Sequence, residues 1–67
     1  MAESLSLDRT DLRLLALLQQ DGRATNTDIA AQISLSPSAC LRRIQRLEAA
    51  GVIQGYAALV DPKSVGL

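Results

Sequence analysis

Apolar residues recur at helical spacing in the first third of the chain and predict its first helix. The stripe consists of four leucines separated by three, four and seven positions: Leu7, Leu14, Leu15 and Leu18. Asp8 is a favourable N-cap, and Asp11 follows three residues later, near the positive end of the helix dipole. Gly22 comes after the last apolar turn and is the residue type preferred at a left-handed C′ position. The pattern therefore predicts a helix over residues 9–20.

A second, shorter helix is predicted a few residues later. Residues 25–28 have the form of a capping box, with Asp in place of the usual Glu. Apolar side chains on one face follow and predict a helix over residues 26–33. Ser34 and Leu35 leave room only for a tight turn before the next helix, and we expect Leu35 to fill the corner between the two helices.

The third helix has a strong start signal. Ser36 is a favourable N-cap, and Pro37 at the first helical position lacks an N–H that would have no partner there. The helix is predicted to run to residue 50, with Gly51 as its C′ residue. Its inward face is predicted to contain Cys40, Ile44 and Leu47, and its opposite face Ser38, Ala39, Arg42 and Arg46, with Arg43 and Gln45 on the flanks.

The period changes after Gly51, and residues 52–60 are predicted to form one strand. Asp61 and Pro62 end this strand. The predicted fold class is therefore mostly α, a three-helix unit followed by one β-strand and the start of a linker. We expect four parts: a flexible N-terminus (1–6), the helical unit (7–51), a wing or hinge strand (52–60) and a linker (61–67) towards a further domain.

Composition excludes several functional classes. Hydrophobic residues make up 48% of the 67 residues, which excludes a disordered chain, and Tyr56 is the only aromatic residue, which argues against a base-stacking platform. The chain has no His and one Cys, so neither a tetrahedral zinc site nor a His-dependent nucleophilic site can be built. We therefore expect no catalytic residue, no metal and no cofactor. The chain lacks an apolar run of membrane-spanning length and a basic signal region, and we expect a cytoplasmic protein.

The charge pattern points to nucleic acid. Net charge is zero, but the N-terminal half is acidic, the C-terminal half is basic, and the positive charge is concentrated in the third helix. Two helices joined by a tight turn form a helix-turn-helix, whose second helix can enter the major groove of DNA. Its first half should combine small residues with long polar ones. The small residues are Ser36, Ser38 and Ala39, and the long ones are Arg42, Arg43, Gln45 and Arg46.

The sequence resembles the N-terminal DNA-binding domain of the leucine-responsive regulatory protein/AsnC family of prokaryotic transcription regulators. The resemblance extends over residues 7–67. The first half of the motif is Leu7-Asp8-x-x-Asp11, Leu14-Leu15, Leu18-Gln19, Asp21-Gly22-Arg23 and Leu35-Ser36-Pro37. The second half is Cys40-Leu41-x-Arg43-Ile44-x-Arg46-Leu47-Glu48, Gly51-x-Ile53-Gln54-Gly55-Tyr56 and Pro62-x-x-x-Gly66-Leu67.

This resemblance implies a winged helix-turn-helix over roughly residues 26–45 that binds double-stranded DNA and regulates amino-acid metabolism genes. It also implies homodimers that assemble further, DNA bending, and an amino-acid effector bound by a C-terminal domain that this chain does not contain. The alternative is a winged helix used only as a protein–protein adaptor, since fold alone does not fix function. The arginines on the outer face of the third helix favour DNA, because an adaptor has no need of them.

Individual roles follow from these patterns. We expect Arg42 to contact a base edge, because bidentate Arg to guanine is the commonest specific contact, and Arg43 and Arg46 to contact phosphates. Ser38 is a better candidate for direct contact than Ser36, which caps the helix. Thr25 and Asn26 are candidates for backbone contact at the start of the second helix. The expected dimer interface combines off-stripe leucines with one face of the strand: Leu12, Leu17, Gln54, Tyr56 and Ala58.

Overall fold

The computed structural model describes residues 6–66 and contains three α-helices: α1 (Arg9–Gln20), α2 (Asn26–Gln32) and α3 (Pro37–Ala49). A short 3-10 helix, Pro62–Val65, follows near the end of the chain. All three predicted α-helices are confirmed, with α2 and α3 each ending one residue earlier than predicted. Most of the predicted flexible N-terminus, residues 1–5, lies outside the described residues.

The predicted N-caps are confirmed and explain where the helices begin. Asp8 and Asp11 form a reciprocal capping box: Asp8 Oδ1 accepts from the Asp11 N–H at 2.7 Å, and Asp11 Oδ2 accepts from the Asp8 N–H at 3.2 Å. Thr25 caps α2 through the Asp28 N–H, but the Asp28 side chain makes no return bond to the Thr25 N–H, so only half of the predicted capping box forms. Ser36 caps α3 through the Ala39 N–H.

The helices pack around one small core. Its buried residues are Leu14, Ile29, Ala30, Ile33, Cys40 and Leu47. Seven further apolar residues cover this core without being fully enclosed: Leu15, Leu17, Leu18, Ala24, Leu35, Ile44 and Ile53. The predicted inward face of α3 and the predicted role of Leu35 are therefore confirmed. With so few buried side chains, much of the apolar surface of α1 and of the C-terminal segment stays open to solvent.

The predicted left-handed C′ role of Gly22 is wrong. The described glycines with positive φ are Gly51 and Gly66. The chain leaves α1 through Asp21, whose backbone is extended and whose Oδ1 accepts from the Arg23 N–H at 3.0 Å. This side-chain turn reverses the chain without a left-handed residue.

The predicted strand over residues 52–60 is not confirmed. The described part of the chain contains no strand, and this segment has no regular hydrogen-bonded structure. A strand needs a partner strand for its ladder, and residues 6–66 of the single chain offer none. The residues that follow are partly regular, because Asp61 caps the 3-10 helix at the Lys63 N–H.

Candidate nucleic-acid interface

The outer surface of α3 carries most of the predicted DNA-contacting residues. Ser38, Arg42, Gln45 and Arg46 are exposed, and Ala39 is half-buried. These residues belong to one 13-residue helix, so their spacing along the surface is rigid. The outer surface of α3 therefore has small side chains near its N-terminus and long polar side chains after them, as a helix that enters the major groove requires.

The start of α2 is tied to the start of α3. Asn26 Nδ2 donates to the Pro37 carbonyl oxygen at 2.7 Å, across 11 residues of sequence. Asn26 Oδ1 is buried and has no hydrogen-bond partner in residues 6–66. The Asn26 side chain thus fixes one helix N-terminus against the other, which places Thr25 and Asn26 close to the first turn of α3.

Two arginines of α3 are paired with two carboxylates at the start of α1, those of the N-cap Asp8 and of Asp11. We call Asp8, Asp11, Arg43 and Arg46 the α1–α3 ion-pair cluster. Arg43 Nη1 lies 3.0 and 2.9 Å from the two Asp8 carboxylate oxygens and 2.9 Å from Asp11 Oδ1. Arg46 Nη2 donates to Asp11 Oδ2 at 2.7 Å. The first turn of α1 is thereby held against α3.

Asp11 is the buried member of this cluster, with 1% of its surface exposed. Burial acts to raise the pKa of its carboxyl group, but the hydrogen bonds from Arg46, from the Asp8 backbone and from Arg43 outweigh it and lower the pKa. The pKa of Asp8 is lowered first by the Asp11 backbone N–H and then by Arg43. The two carboxylates in turn raise the pKa of Arg43. Asp8, Asp11 and Arg43 are therefore ionised at neutral pH.

Arg42 differs from its two neighbours. It is exposed and makes no ion pair with any residue that the structure describes. It lines an open cleft of about 410 Å³ between α1 and α3, together with Asp8, Leu35, Ala39, Arg43 and Arg46. Three guanidinium groups therefore converge on one cleft, and two of them already have carboxylate partners.

The residues expected at a dimer interface divide into two places. Leu12, Gln54 and Tyr56 line a groove of about 740 Å³ between α1 and residues 52–59, which we call the α1–tail groove. Ala58 is exposed beside it. Leu17 lies apart, in a cleft between α1 and α2 and against the core. The two off-stripe leucines therefore do not form one surface.

Tyr56 also contacts α3. Its hydroxyl group donates to Glu48 Oε2 at 3.0 Å. Burial and then the Glu48 carboxylate raise the pKa of Tyr56, so the phenol is neutral at physiological pH. This hydrogen bond holds the C-terminal segment against the end of α3.

The sequence interpretation missed the pairing of Asp11 with α3. It treated Asp11 only as a favourable charge near the helix start. A signal was present, because Asp11 is four residues after Leu7 and three before Leu14, on the apolar stripe itself. A carboxylate on a buried stripe needs cationic partners, and the arginines of the third helix supply them.

Other kinds of site find little support. No group of three or more His, Cys, Asp or Glu residues that could hold a metal ion occurs within residues 6–66. None of the described helices is long and apolar enough to span a membrane. Cys40 is buried, and burial raises the pKa of its thiol, so it has the environment of a core residue and not of a reactive cysteine.

Comparison with known proteins agrees with this geometry. The sequence model for winged helix-turn-helix DNA-binding domains matches residues 7–54. The leucine-responsive regulatory protein of Rhizobium meliloti is 44% identical over 66 residues, which are 98% of this chain and 42% of that protein.

Solved structures give the same result. A transcriptional regulator from Neisseria meningitidis, solved as a complex with L-Met, is 50% identical with a TM-score of 0.86, over 92% of this chain and 40% of the other. An AsnC family transcriptional regulator from Agrobacterium tumefaciens is 42% identical with a TM-score of 0.81, over 88% of this chain and 39% of the other. The chain spans about two fifths of the length of these relatives. It belongs to the winged helix-turn-helix DNA-binding family, in the leucine-responsive regulatory protein/AsnC group of transcription regulators, which is not a family of enzymes.

Proposed function

We propose that this chain binds double-stranded DNA with α3 in the major groove and serves as the DNA-reading part of a transcription regulator. The observation that carries the proposal is the outer face of α3, where Arg42 is exposed and has no carboxylate partner in the described chain. An exposed helix with small residues first and long polar residues after them fits the shape and chemistry of the groove.

The contacts divide by chemistry. Arg42 reads a base edge, and Ser38, Ala39 and Gln45 line the approach to it. Arg46 is 44% exposed and uses one Nη2 hydrogen bond for Asp11, so its other N–H groups are available for a phosphate. The Arg43 side chain is less exposed, at 28%, so we expect it to contact phosphate only at the edge of the interface. Contacts with the DNA backbone come from Thr25, Asn26 and Ser36. The side chains of Thr25 and Ser36 also cap helices, and that of Asn26 also links α2 to α3.

The first test is binding to DNA of random sequence. Fluorescence anisotropy of a labelled duplex at about 50 and about 200 mM salt should show a loss of affinity of one order of magnitude or more, because phosphate neutralisation releases counterions. A folded chain that does not bind at the lower salt concentration would contradict the proposal and favour the protein–protein adaptor.

Two substitutions test the division of roles. A preferred duplex is first selected from a random pool and compared with its scrambled version. Arg42→Ala should cost about 1–3 kcal/mol on the selected duplex and much less on the scrambled one. Arg46→Ala should weaken binding to both duplexes equally. Equal losses on both duplexes from both variants would refute the division.

Two copies acting together would read a pseudo-palindrome with half-sites about 34 Å apart. The α1–tail groove and the unpaired residues 52–60 support a homodimer in which the second copy supplies the missing strand partner, forming the wing or hinge strand that the sequence predicts. Residues 61–67 then lead towards a further domain.

The relatives support the remaining parts of the proposal. The N. meningitidis regulator was solved with L-Met, and only 40% of its length corresponds to this chain. We therefore place an amino-acid effector and higher assembly in a domain beyond this chain, with amino-acid metabolism genes as targets. A DNA-reading chain of this kind acts in the prokaryotic cytoplasm.

A further inference from the structure

The α1–α3 ion-pair cluster contains the one charged side chain that the described chain buries, Asp11. Its carboxylate accepts from Arg43 Nη1, from Arg46 Nη2 and from the Asp8 N–H. A buried carboxylate is tolerated only when cations and hydrogen bonds surround it. Withdrawing either arginine would leave that charge poorly compensated, so a DNA phosphate competes badly for these two side chains.

The cluster is balanced in charge. Two carboxylates from α1 face two guanidinium groups from α3, with separations between 2.7 and 3.0 Å. Arg42 lies in the same cleft and is not part of this pairing. Of the three arginines that the sequence places on α3, one therefore presents a positive charge that no neighbouring carboxylate offsets.

This balance bears directly on DNA binding. Non-specific affinity depends on how much phosphate charge the protein neutralises, and each neutralised phosphate contributes about 0.9 to the salt slope. An arginine held beside a carboxylate still donates hydrogen bonds, but the pair brings little net charge to the phosphate. A charge-balanced cluster next to the reading helix consequently lowers affinity for every sequence and leaves the contact of Arg42 with a base unaffected.

We propose that Asp11 is a positioning residue that restrains non-specific DNA binding, by holding Arg43 and Arg46 against α1 and balancing their charge beside Arg42. The inference rests on the proposed DNA-binding function. It predicts that removing one buried negative charge strengthens binding to random DNA, whereas a purely structural Asp11 would weaken binding or leave it unchanged.

The test compares Asp11→Asn with a charge-matched control, Asp21→Asn. The first substitution keeps the shape and one accepting oxygen of the native side chain. Asp21 is exposed at the opposite end of α1 and forms no ion pair with a described residue, and Asn keeps its acceptor for the Arg23 N–H. Both variants raise the net charge by one, so only the release of the arginines distinguishes them. Circular dichroism first establishes that each variant is folded at the assay temperature.

The measured quantity is the slope of log affinity against log salt for a random-sequence duplex. Asp11→Asn should steepen the slope by about 0.9 to 1.8, one step for each arginine released, and raise affinity at low salt about threefold or more. Asp21→Asn should match the unsubstituted chain. A folded Asp11→Asn variant with an unchanged or shallower slope overturns the proposal.

A second variant decides the matter if Asp11→Asn does not fold. Arg46→Gln should make the slope shallower by less than half of the roughly 0.9 expected for an unbalanced arginine at a phosphate, because Asp11 already balances the charge of Arg46. In Arg46→Gln, Asp11 retains Arg43 and the Asp8 N–H as partners. A slope that Arg46→Gln makes shallower by about 0.9 overturns the proposal.

Elution from heparin separates failure of this inference from failure of the proposed function. Heparin is a polyanion that requires no DNA-reading geometry. If the unsubstituted chain does not bind the duplex at low salt, the proposed function fails. The balancing of the two arginines by Asp11 is then still supported if Asp11→Asn elutes at higher salt than Asp21→Asn, and it is refuted if the two elute together.

Discussion

Ser34 and Gly51 are the described residues at which the backbone turns left-handed after an α-helix. Gly51 has φ of 77° after α3, and Ser34 has φ of 58° after α2. Both ends have the same hydrogen bond, from Val52 N–H to the Leu47 carbonyl at 3.0 Å and from Leu35 N–H to the Ala30 carbonyl at 3.0 Å. Glycine at position 51 suits the left-handed conformation, whereas serine at position 34 does not.

Substitutions at these two positions should therefore act in opposite directions. Ser34→Gly relieves the clash of a side chain in the left-handed region and should stabilise the fold by about 0.5–1 kcal/mol, after the added freedom of the unfolded chain is subtracted. Gly51→Ala should destabilise it by about 1 kcal/mol. A Cβ at position 51 would meet no atom within 4 Å, so the cost there lies in the backbone alone.

Urea unfolding followed by circular dichroism measures both effects. The midpoint should rise for Ser34→Gly and fall for Gly51→Ala, with unchanged slopes. A Ser34→Gly variant that is less stable than the parent would mean that the Ser34 side chain makes a stabilising contact, and the strain argument would fail.

The sequence predicted some of these residue details and not others. Gly51 was predictable because glycine itself signals the left-handed position. Ser34 was not, because serine gives no such signal and the packing of α2 against α3 imposes its conformation. Gly22 also signals a left-handed position but does not adopt that conformation, because the chain turns after α1 through the Asp21 side chain.

Among the elements, the contact between α1 and α3 depends on carboxylates that titrate. Asp8 and Asp11 both have lowered pKa values in the folded chain. A group whose pKa is lowered by folding stabilises the fold above its unfolded pKa, about 3.9 for Asp, and that contribution is lost as pH falls through the folded pKa.

Thermal unfolding between about pH 5 and about pH 2 should therefore show a falling Tm, with a loss of roughly 4–8 °C for each kcal/mol. Asp11→Asn should start from a lower Tm at neutral pH and decline less steeply in acid, because the buried titrating group is absent. Asp21→Asn is the control, since Asp21 lies outside the ion-pair cluster and the pH dependence of this variant should follow the parent. A parallel acid decline in Asp11→Asn and the parent would contradict this account.

The elements also differ in how far the sequence determined them. All three helices were predictable, because caps and apolar periodicity are local signals. The pairing of Asp11 with Arg43 and Arg46 joins residues 32 and 35 positions apart, so the local pattern signals that Asp11 is buried but does not identify its partners. The predicted strand is not observed, because alternating apolar and polar residues show only that a segment is able to pair. The hydrogen-bonded ladder of a sheet also requires a second strand.

For the whole molecule, the exposed apolar surface indicates how the chain associates. Tyr56, Leu59 and Val60 are exposed along the C-terminal segment, and Leu12 is exposed across the α1–tail groove. A chain of this size buries a limited share of its apolar surface, and unpaired backbone in an extended segment invites pairing with an identical segment. These features lead to the proposed homodimer.

Sedimentation equilibrium of the chain up to high micromolar concentration should show a reversible dimer, which two exposed substitutions weaken. Leu12→Ser removes an apolar contact from the α1–tail groove. Ala58→Pro removes a backbone N–H needed for strand pairing, at a position where no described core contact is lost. Each should raise the dimer dissociation constant about tenfold or more, which corresponds to about 1.4 kcal/mol.

Leu41→Ser is the matched control, because Leu41 is a similarly exposed leucine on α3 outside the groove. It should leave the dimer unchanged. Amide exchange adds a readout that a general loss of stability would not reproduce: protection of residues 56–60 should rise with protein concentration, while protection of the helices stays constant. A chain that remains monomeric throughout, or a dimer that Leu41→Ser weakens as much as Leu12→Ser does, would place association elsewhere and leave the C-terminal segment without the partner strand proposed for it.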